Sequence, residues 1–395
     1  MVPYGRQFID EQDVACVLRA LKAPFLTRGP EIKAFERELA AYCGARFAVV
    51  VNSGTSALLA AYAAAGLGPG DEVLVPANTF SATSNALLWL GARPVFVDIE
   101  SETGNLSLDG LETYLSPATR AVVPVHYAGR PVELAKLRDW ASRYGLLVIE
   151  DACHALGARY LGTPVGSGVF SDLTVFSFHP LKSITTGEGG AILTNREDFY
   201  ERLCLFRDHG FVRETEKFQR SSPGPWYHEM QLLGLNLWMT DFQAALGRSQ
   251  LKKLDQFVTR RREIATRYLE AFTELDEAFN LPLEDRPASQ SAWHLFVIRL
   301  KEHLLPWKEK IVRYLQGKGI GTQVHYLPVY LHPFYQKLGY REGLCPKAEH
   351  FYRCALSLPL FPALKDDEVE YIIQTVRNIF NSFVSCCRIN YQIKC

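Results

Sequence analysis

The chain carries no excess of charge: 43 Lys and Arg stand against 43 Asp and Glu. A broadly basic binder of nucleic acid or of anionic membrane is thereby excluded, although a local basic pocket is not. No run approaches the roughly 18 apolar residues a spanning helix needs. The opening MVPYGRQFIDEQD has no apolar core, so no signal peptide is expected there. Nine cysteines are present without a single CxxC pair, which argues against a zinc ribbon or a thioredoxin-like site. An odd set of scattered thiols reads as a reduced, cytoplasmic chain with buried cysteines. Repeats and low-complexity tracts are also missing, and no metal site is expected.

What is present has a clear order. Residues 1–45 predict two helices. Val14, Val17, Leu18 and Leu21 mark one apolar face; Ile32, Phe35, Leu39 and Tyr42 mark the other. From residue 46, short apolar or β-branched runs predict strands at Phe47–Val51, Val73–Val75, Val95–Val97, Ala121–Val125, Leu146–Ile149, Thr174–Phe178 and Ala191–Thr194. Helical stretches intervene at Ser56–Gly66, Ser81–Leu90 and Val132–Tyr144. The alternation predicts an α/β domain with a largely parallel sheet, its ligand site outside the carboxyl ends of the strands. After residue 240 the texture changes. Thr240 caps one long helical stretch, followed by a strand at His294–Leu300, a helix at Trp307–Lys318, a strand at Thr322–Tyr326 and a helix at Asp366–Phe380. The expected division is a large domain over 1–245, a smaller α+β domain over 246–380 and a tail over 381–395. The tail carries Cys386, Cys387 and Cys395.

Four segments could carry chemistry. In FSFHPLKSITTGEGG, Ser177 and Lys182 follow a strand and precede a Gly-rich turn. A lysine in a partly dry place loses pKa, and its neutral amine attacks carbonyls; an isolated lysine on a loop is more often a surface residue. In VIEDACHALG, Asp151 closes a strand at the ligand edge. A carboxylate there suits the ring nitrogen of pyridoxal phosphate (PLP), although it also suits a helix cap. Glu150 should face the other side of the sheet. In VNSGTSAL a strand ends and a helix begins, leaving Gly54, Thr55 and Ser56 where free N–H groups receive a phosphate. In VPANTFSAT, Phe80 could stack on an aromatic cofactor, or be an ordinary core residue.

These segments occur in the order of the fold type I PLP enzymes. The chain resembles the nucleotide-sugar aminotransferases of the DegT/StrS group over residues 2–380. The resemblance is carried by SGTSAL, PANTFSAT, GARPVFVDI, VPVHYAGRPVEL, VIEDACHALGA, FSFHPLKSITTGEGGAILTN, LCLFRDHG and TDFQAALGRSQLKKLD. It implies an α/β PLP-dependent transferase fold: a large domain with a mostly parallel seven-stranded sheet and a smaller C-terminal α+β domain. It implies that Lys182 bonds the cofactor and moves the proton, that Asp151 pairs with the ring nitrogen, and that Phe80 and Cys153 flank the ring. It places His154 at the ring hydroxyl and Gly54, Thr55 and Ser177 at the phosphate. Asn236 would reach the phosphate of a neighbouring subunit, which implies a homodimer with shared sites.

On the substrate side, VPYGRQ, FHPLKSITTGEGG and TQVHYLPVY resemble the branch of the family serving pseudaminic acid biosynthesis. That implies L-glutamate as donor and a UDP-linked 4-keto-6-deoxy-N-acetylhexosamine as acceptor. Tyr4, Phe25, Leu26 and Thr27 would touch the nucleotide sugar, with Gln323, Val324, His325 and Tyr326 facing it from the small domain. Arg28 stands where relatives often carry Gln, and the tail has no counterpart. The alternatives are a sister aminotransferase for another keto sugar, a PLP-dependent sugar dehydratase (such relatives carry His at the position of Lys182) and a non-catalytic regulator. A Rossmann dehydrogenase fits worse, because Gly187–Gly190 leads into a strand instead of a helix.

Overall fold

The computed structural model describes residues 1–392, with side chains described through residue 382. Seven strands form the central sheet: β1 (Phe47–Val51), β2 (Glu72–Pro76), β3 (Arg93–Val97), β4 (Thr119–Val122), β5 (Leu147–Asp151), β6 (Leu173–Ser177) and β7 (Gly190–Thr194). Their order is β1-β7-β6-β5-β4-β2-β3, and β7 alone runs antiparallel to its two neighbours. All seven overlap the predicted runs, although β4 starts at Thr119 and ends at Val122, short of the predicted Val125.

Alternation along the strands sorts side chains between two faces. Val49, Val51, Val73, Val75, Ile149 and Val175 pack with the helix Gly54–Ala64 and with Ala86 and Leu87 of the helix Ala82–Trp89. Ala48, Val50, Phe176 and Ala191 point the other way, against Ile32, Phe35 and Leu39 of the helix Pro30–Cys43. Leu74, Val122 and Val148 meet Leu137 and Trp140 of the helix Leu134–Arg143. Both faces are covered, as a parallel sheet requires.

The helix Glu11–Leu21 departs from expectation. Val14, Leu18 and Leu21 are exposed, while Asp13 is fully buried. Asp13 Oδ2 accepts from Lys253 Nζ at 2.7 Å and from Gln250 Nε2 at 2.7 Å. A buried carboxylate needs such partners, and here they dock the helix, leaving its apolar stripe outward.

The C-terminal lobe holds a three-stranded antiparallel sheet of β8 (Phe279–Asn280), β9 (Phe296–Leu300) and β10 (Ala355–Leu358), with β9 in the centre. Tyr268, Phe272, Phe296, Ile298, Leu356, Ile372 and Val376 share its core. Several expected boundaries change. Thr240 does cap a helix, with Gln243 completing the capping box, but the stretch breaks into Asp241–Leu251 and Leu254–Phe272. A division at 245/246 therefore cuts a helix. Trp307–Lys318 resolves into a 3-10 turn, Glu302–Trp307, and a helix, Lys308–Gly317. Thr322–Tyr326 is not a strand; Gln323 alone pairs, with Ser357. Beyond that bridge the Tyr326 N–H turns away to donate to Asn78 Oδ1 at 3.1 Å. The last helix runs Asp366–Gln392, through most of the expected tail. Cys386 and Cys387 lie beyond the described side chains, and Cys395 lies outside the described residues.

Candidate active site

Four strand exits converge at the carboxyl edge of the sheet. There a cavity of about 580 Å³ is lined by Gly54, Thr55, Phe80, Asp151, Cys153, His154, Ser177 and Lys182. Tyr4, Gln323, Val324, His325 and Tyr326 line the same cavity. Chain segments from 4 to 326 thus meet at one place. Phe25, Leu26, Thr27 and Asn236 do not line it; they are exposed elsewhere on the chain.

Asp151 ends β5 and is buried. Its Oδ2 accepts from Thr83 Oγ1 at 2.7 Å, and its Oδ1 accepts from the Cys153 N–H at 3.2 Å. Glu150 faces away, as alternation predicts, and lies 2.6 Å from His126 Nε2. Adjacent carboxylates on one strand therefore sit in separate environments.

Lys182 lies in the loop after β6 and is half-buried. Burial lowers its pKa, while Cys153 and Asp151 pull it partly back. The neutral amine is thus more available than in free lysine. The phosphate-type cradle is equally local. Ser53 caps the helix Gly54–Ala64 by accepting from the Ser56 N–H at 3.0 Å. The N–H groups of Gly54 and Thr55 occupy the first turn, where no intrahelical acceptor exists. A Cβ on Gly54 would sit 2.8 Å from Ser177 Cβ, so the close approach of these two walls requires glycine.

Three histidines complete the inner wall. His154 packs against His294, with centroids 4.2 Å apart and rings tilted by 35°, and its Nε2 lies 3.2 Å from the Tyr326 hydroxyl. Its Nδ1 is buried without a hydrogen-bond partner among the described residues. Burial, then the charge on Lys182, holds the His154 pKa well below the ordinary value; burial and the neighbouring His154 do the same for His294. Burial and Lys182 bring His325 down to about 4. These three imidazoles are therefore polar yet uncharged near neutral pH.

The small lobe reaches this wall through firm contacts. Tyr127 Oη donates to the His325 carbonyl at 2.6 Å, and His325 Nδ1 lies 2.8 Å from Ser357 Oγ. Tyr4 packs its ring 5.5 Å from that of His325. Thr83 and His294 are the residues that sequence reasoning passes over. Thr83 stands within the quoted PANTFSAT, one helical turn beyond Phe80, and that spacing was its available signal. Arg28 pairs with Asp208 and lies over Trp238, outside the cavity lining.

An amine of lowered pKa, a buried carboxylate, a helix N-terminus closed over a serine and an exposed phenyl face suit one kind of occupant: a phosphorylated aromatic aldehyde such as PLP. The comparisons agree. The DegT/DnrJ/EryC1/StrS aminotransferase family matches residues 7–377, and the chain belongs to that family. It is a PLP-dependent sugar aminotransferase. It is 40% identical over 381 residues to the spore coat polysaccharide biosynthesis protein SpsC of Bacillus subtilis, covering 96% of this chain and 97% of that one. It is 37% identical over 382 residues to the UDP-4-amino-4,6-dideoxy-N-acetyl-beta-L-altrosamine transaminase of Campylobacter jejuni, covering 96% and 97%. Among solved structures, Helicobacter pylori PseC, an aminotransferase of pseudoaminic acid biosynthesis, superposes with a TM-score of 0.89 at 34% identity, covering 96% of this chain and 99% of that one.

Proposed function

We propose that the enzyme transfers the amino group of L-glutamate to C4 of a UDP-linked 4-keto-6-deoxy-N-acetylhexosamine, in a route of the pseudaminic acid type. The observation that carries this reading is the shared cavity, in which Lys182 and Asp151 lie with the wall formed by Tyr4 and Gln323–Tyr326. The activity for which the Campylobacter relative is named and the structural likeness to PseC support the substrate class.

In this reading Gly54, Thr55 and Ser177 hold the phosphate of PLP, Asp151 faces its ring nitrogen, Phe80 and Cys153 flank the ring, and His154 meets the ring hydroxyl. When bound, PLP supplies the electron sink that makes the donor Cα–H acidic. Lys182 Nζ would accept the donor Cα proton in the first half-reaction. In the second half-reaction the same nitrogen carries a proton the other way, to the sugar C4. Asp151 keeps the ring nitrogen protonated, and Thr83 keeps Asp151 oriented. Tyr4 and the segment Gln323–Tyr326 orient the sugar nucleotide.

The enzyme works as a homodimer in this reading. Phe25, Leu26, Met230 and Leu233 are 59%, 50%, 62% and 83% exposed, and this reading takes them as apolar side chains that the partner covers. Asn236 lies in the same stretch as Leu233 and is exposed too, consistent with a role in the partner's phosphate site.

Incubation of holoenzyme with glutamate and the isomeric UDP-4-keto-6-deoxy-N-acetylhexosamines, with NMR of the product, tests the assignment. Amination at C4 of the L-arabino isomer supports it. Turnover confined to a different keto sugar transfers the enzyme to a sister activity, for which the 40% identity to SpsC is the pointer.

A further inference from the structure

Away from the cavity, three donor side chains converge on the outer face of the small lobe. Cys354 Sγ lies 3.1 Å from His350 Nε2, and His350 Nε2 lies 3.3 Å from Glu302 Oε1. All three donor atoms fall within 4.8 Å of one another. His350 and Cys354 share a face of the helix Pro346–Cys354, one turn apart. Glu302 opens the 3-10 turn just after β9. These residues play no part in the transfer chemistry.

The geometry points to a divalent transition-metal site, of the zinc class, formed by Cys354, His350 and Glu302. Tetrahedral zinc bonds of about 2.3 Å to sulfur and about 2.0 Å to nitrogen or oxygen separate neighbouring S and N ligands by about 3.5 Å, and N and O ligands by about 3.3 Å. The Cys354–His350 and His350–Glu302 separations need adjustments of only a few tenths of an ångström, and the Cys354–Glu302 pair, within 4.8 Å, closes by movement of the exposed Glu302 side chain. The donor set of thiolate, imidazole and carboxylate is one that zinc accepts. Cys354 is buried, whereas Glu302 is exposed and free to rotate toward the ion. An adjoining cavity of about 180 Å³ leaves room for a water as fourth ligand. On binding, the Cys354 thiol gives its proton to solvent and the metal takes its place, so thiolate and carboxylate together offset the dication. Arg299, Lys301 and Lys347 also line that cavity. Arg299 is committed to the Ser101 and Leu281 carbonyls, and Lys301 to Asn280 Oδ1 at 2.7 Å. Their charge weakens the site without blocking it.

The ion ties the helix Pro346–Cys354 to the end of β9. That helix also hooks the large domain, since Asp98 accepts from the Lys347 and Ala348 N–H groups at 3.0 and 2.9 Å. Phe351, on the same helix, packs edge-on against Tyr127, which holds the His325 carbonyl at the active-site wall. The metal is thus a structural clamp on the lobe that faces the substrate.

Full-length, tag-free holoenzyme, with the active site filled by cofactor, is titrated with Zn2+ against a chromophoric chelator. One ion per chain is expected, bound at least tenfold more weakly by Cys354→Ser and by Glu302→Gln. Co2+ substituted for Zn2+ should give a thiolate-to-metal absorption band in the wild type that Cys354→Ser lacks. The exposed Glu302→Gln variant retains its fold, and its unchanged aminotransferase activity verifies that. Equal Zn2+ binding by wild type and both variants, no stoichiometric binding, or a cobalt–thiolate band that survives Cys354→Ser would each overturn the assignment.

Discussion

The Thr83 hydroxyl donates to Asp151 Oδ2 at 2.7 Å, inside a wall where both residues are buried. Thr79 Oγ1, 2.7 Å from Thr83 Oγ1, completes the chain. A hydrogen bond to a buried charged group is worth about 1.5–3 kcal/mol, or roughly ten- to a hundredfold in rate if all of it acts at the transition state. Thr83→Val should lower kcat by about that factor and shift the absorption spectrum of bound cofactor, because the carboxylate then faces the ring nitrogen differently. Thr83→Ser should restore both. A spectrum that does not change in Thr83→Val, beside a lowered kcat, would assign Thr83 to packing alone.

Gly54 tolerates no side chain without movement, since its Cβ would stand 2.8 Å from Ser177 Cβ and 3.0 Å from Ser177 Oγ. Gly54→Ala should raise the dissociation constant for PLP about tenfold or more, at about 1.4 kcal/mol per factor of ten. Spectroscopic titration of the cofactor-free protein measures this directly. Unaltered affinity would show that the phosphate sits elsewhere.

Much of this site was legible in the chain because its parts lie at strand exits, where a short apolar run ends. Asp151 is the last residue of such a strand, and Gly54 and Lys182 follow one by three and five residues. Tyr326 was legible only through its motif: its surrounding segment reads as a strand but is drawn out of pairing by Asn78. His294 carried no local signal, because its place comes from ring contact with His154 across the fold. The outward apolar stripe of Val14, Leu18 and Leu21 shows the limit of periodicity, which finds an apolar face but not what covers it. Glu302 lies far in sequence from His350 and Cys354, so no spacing motif announced that cluster.

The buried histidines set an acid limit. His325 has a folded pKa of about 4, and His154 and His294 lie well below their ordinary value of 6.5. The unfolded chain therefore binds more protons in this range, so stability rises with pH and is lost as pH falls from about 6.5 toward 4. Denaturant titrations of the cofactor-free protein should show this fall, and His325→Gln should flatten it. A wild-type stability constant from pH 6.5 to 4.5 would contradict the buried neutral state.

If Asn236 completes the partner's phosphate site, inactive variants should rescue one another. Lys182→Ala and Asn236→Asp, unfolded and refolded together, should form mixed dimers with one intact site and recover activity that neither has alone. An absence of recovery, with mixed dimers verified by mass spectrometry, would place each site within a single chain.

The most direct test is chemical. Holoenzyme is reduced with borohydride, digested, and the peptide carrying the cofactor is sequenced by mass spectrometry. The account predicts a single labelled peptide, modified at Nζ of Lys182, and no label in Lys182→Ala. A label on any other lysine, or an unlabelled protein that still turns over, would contradict it.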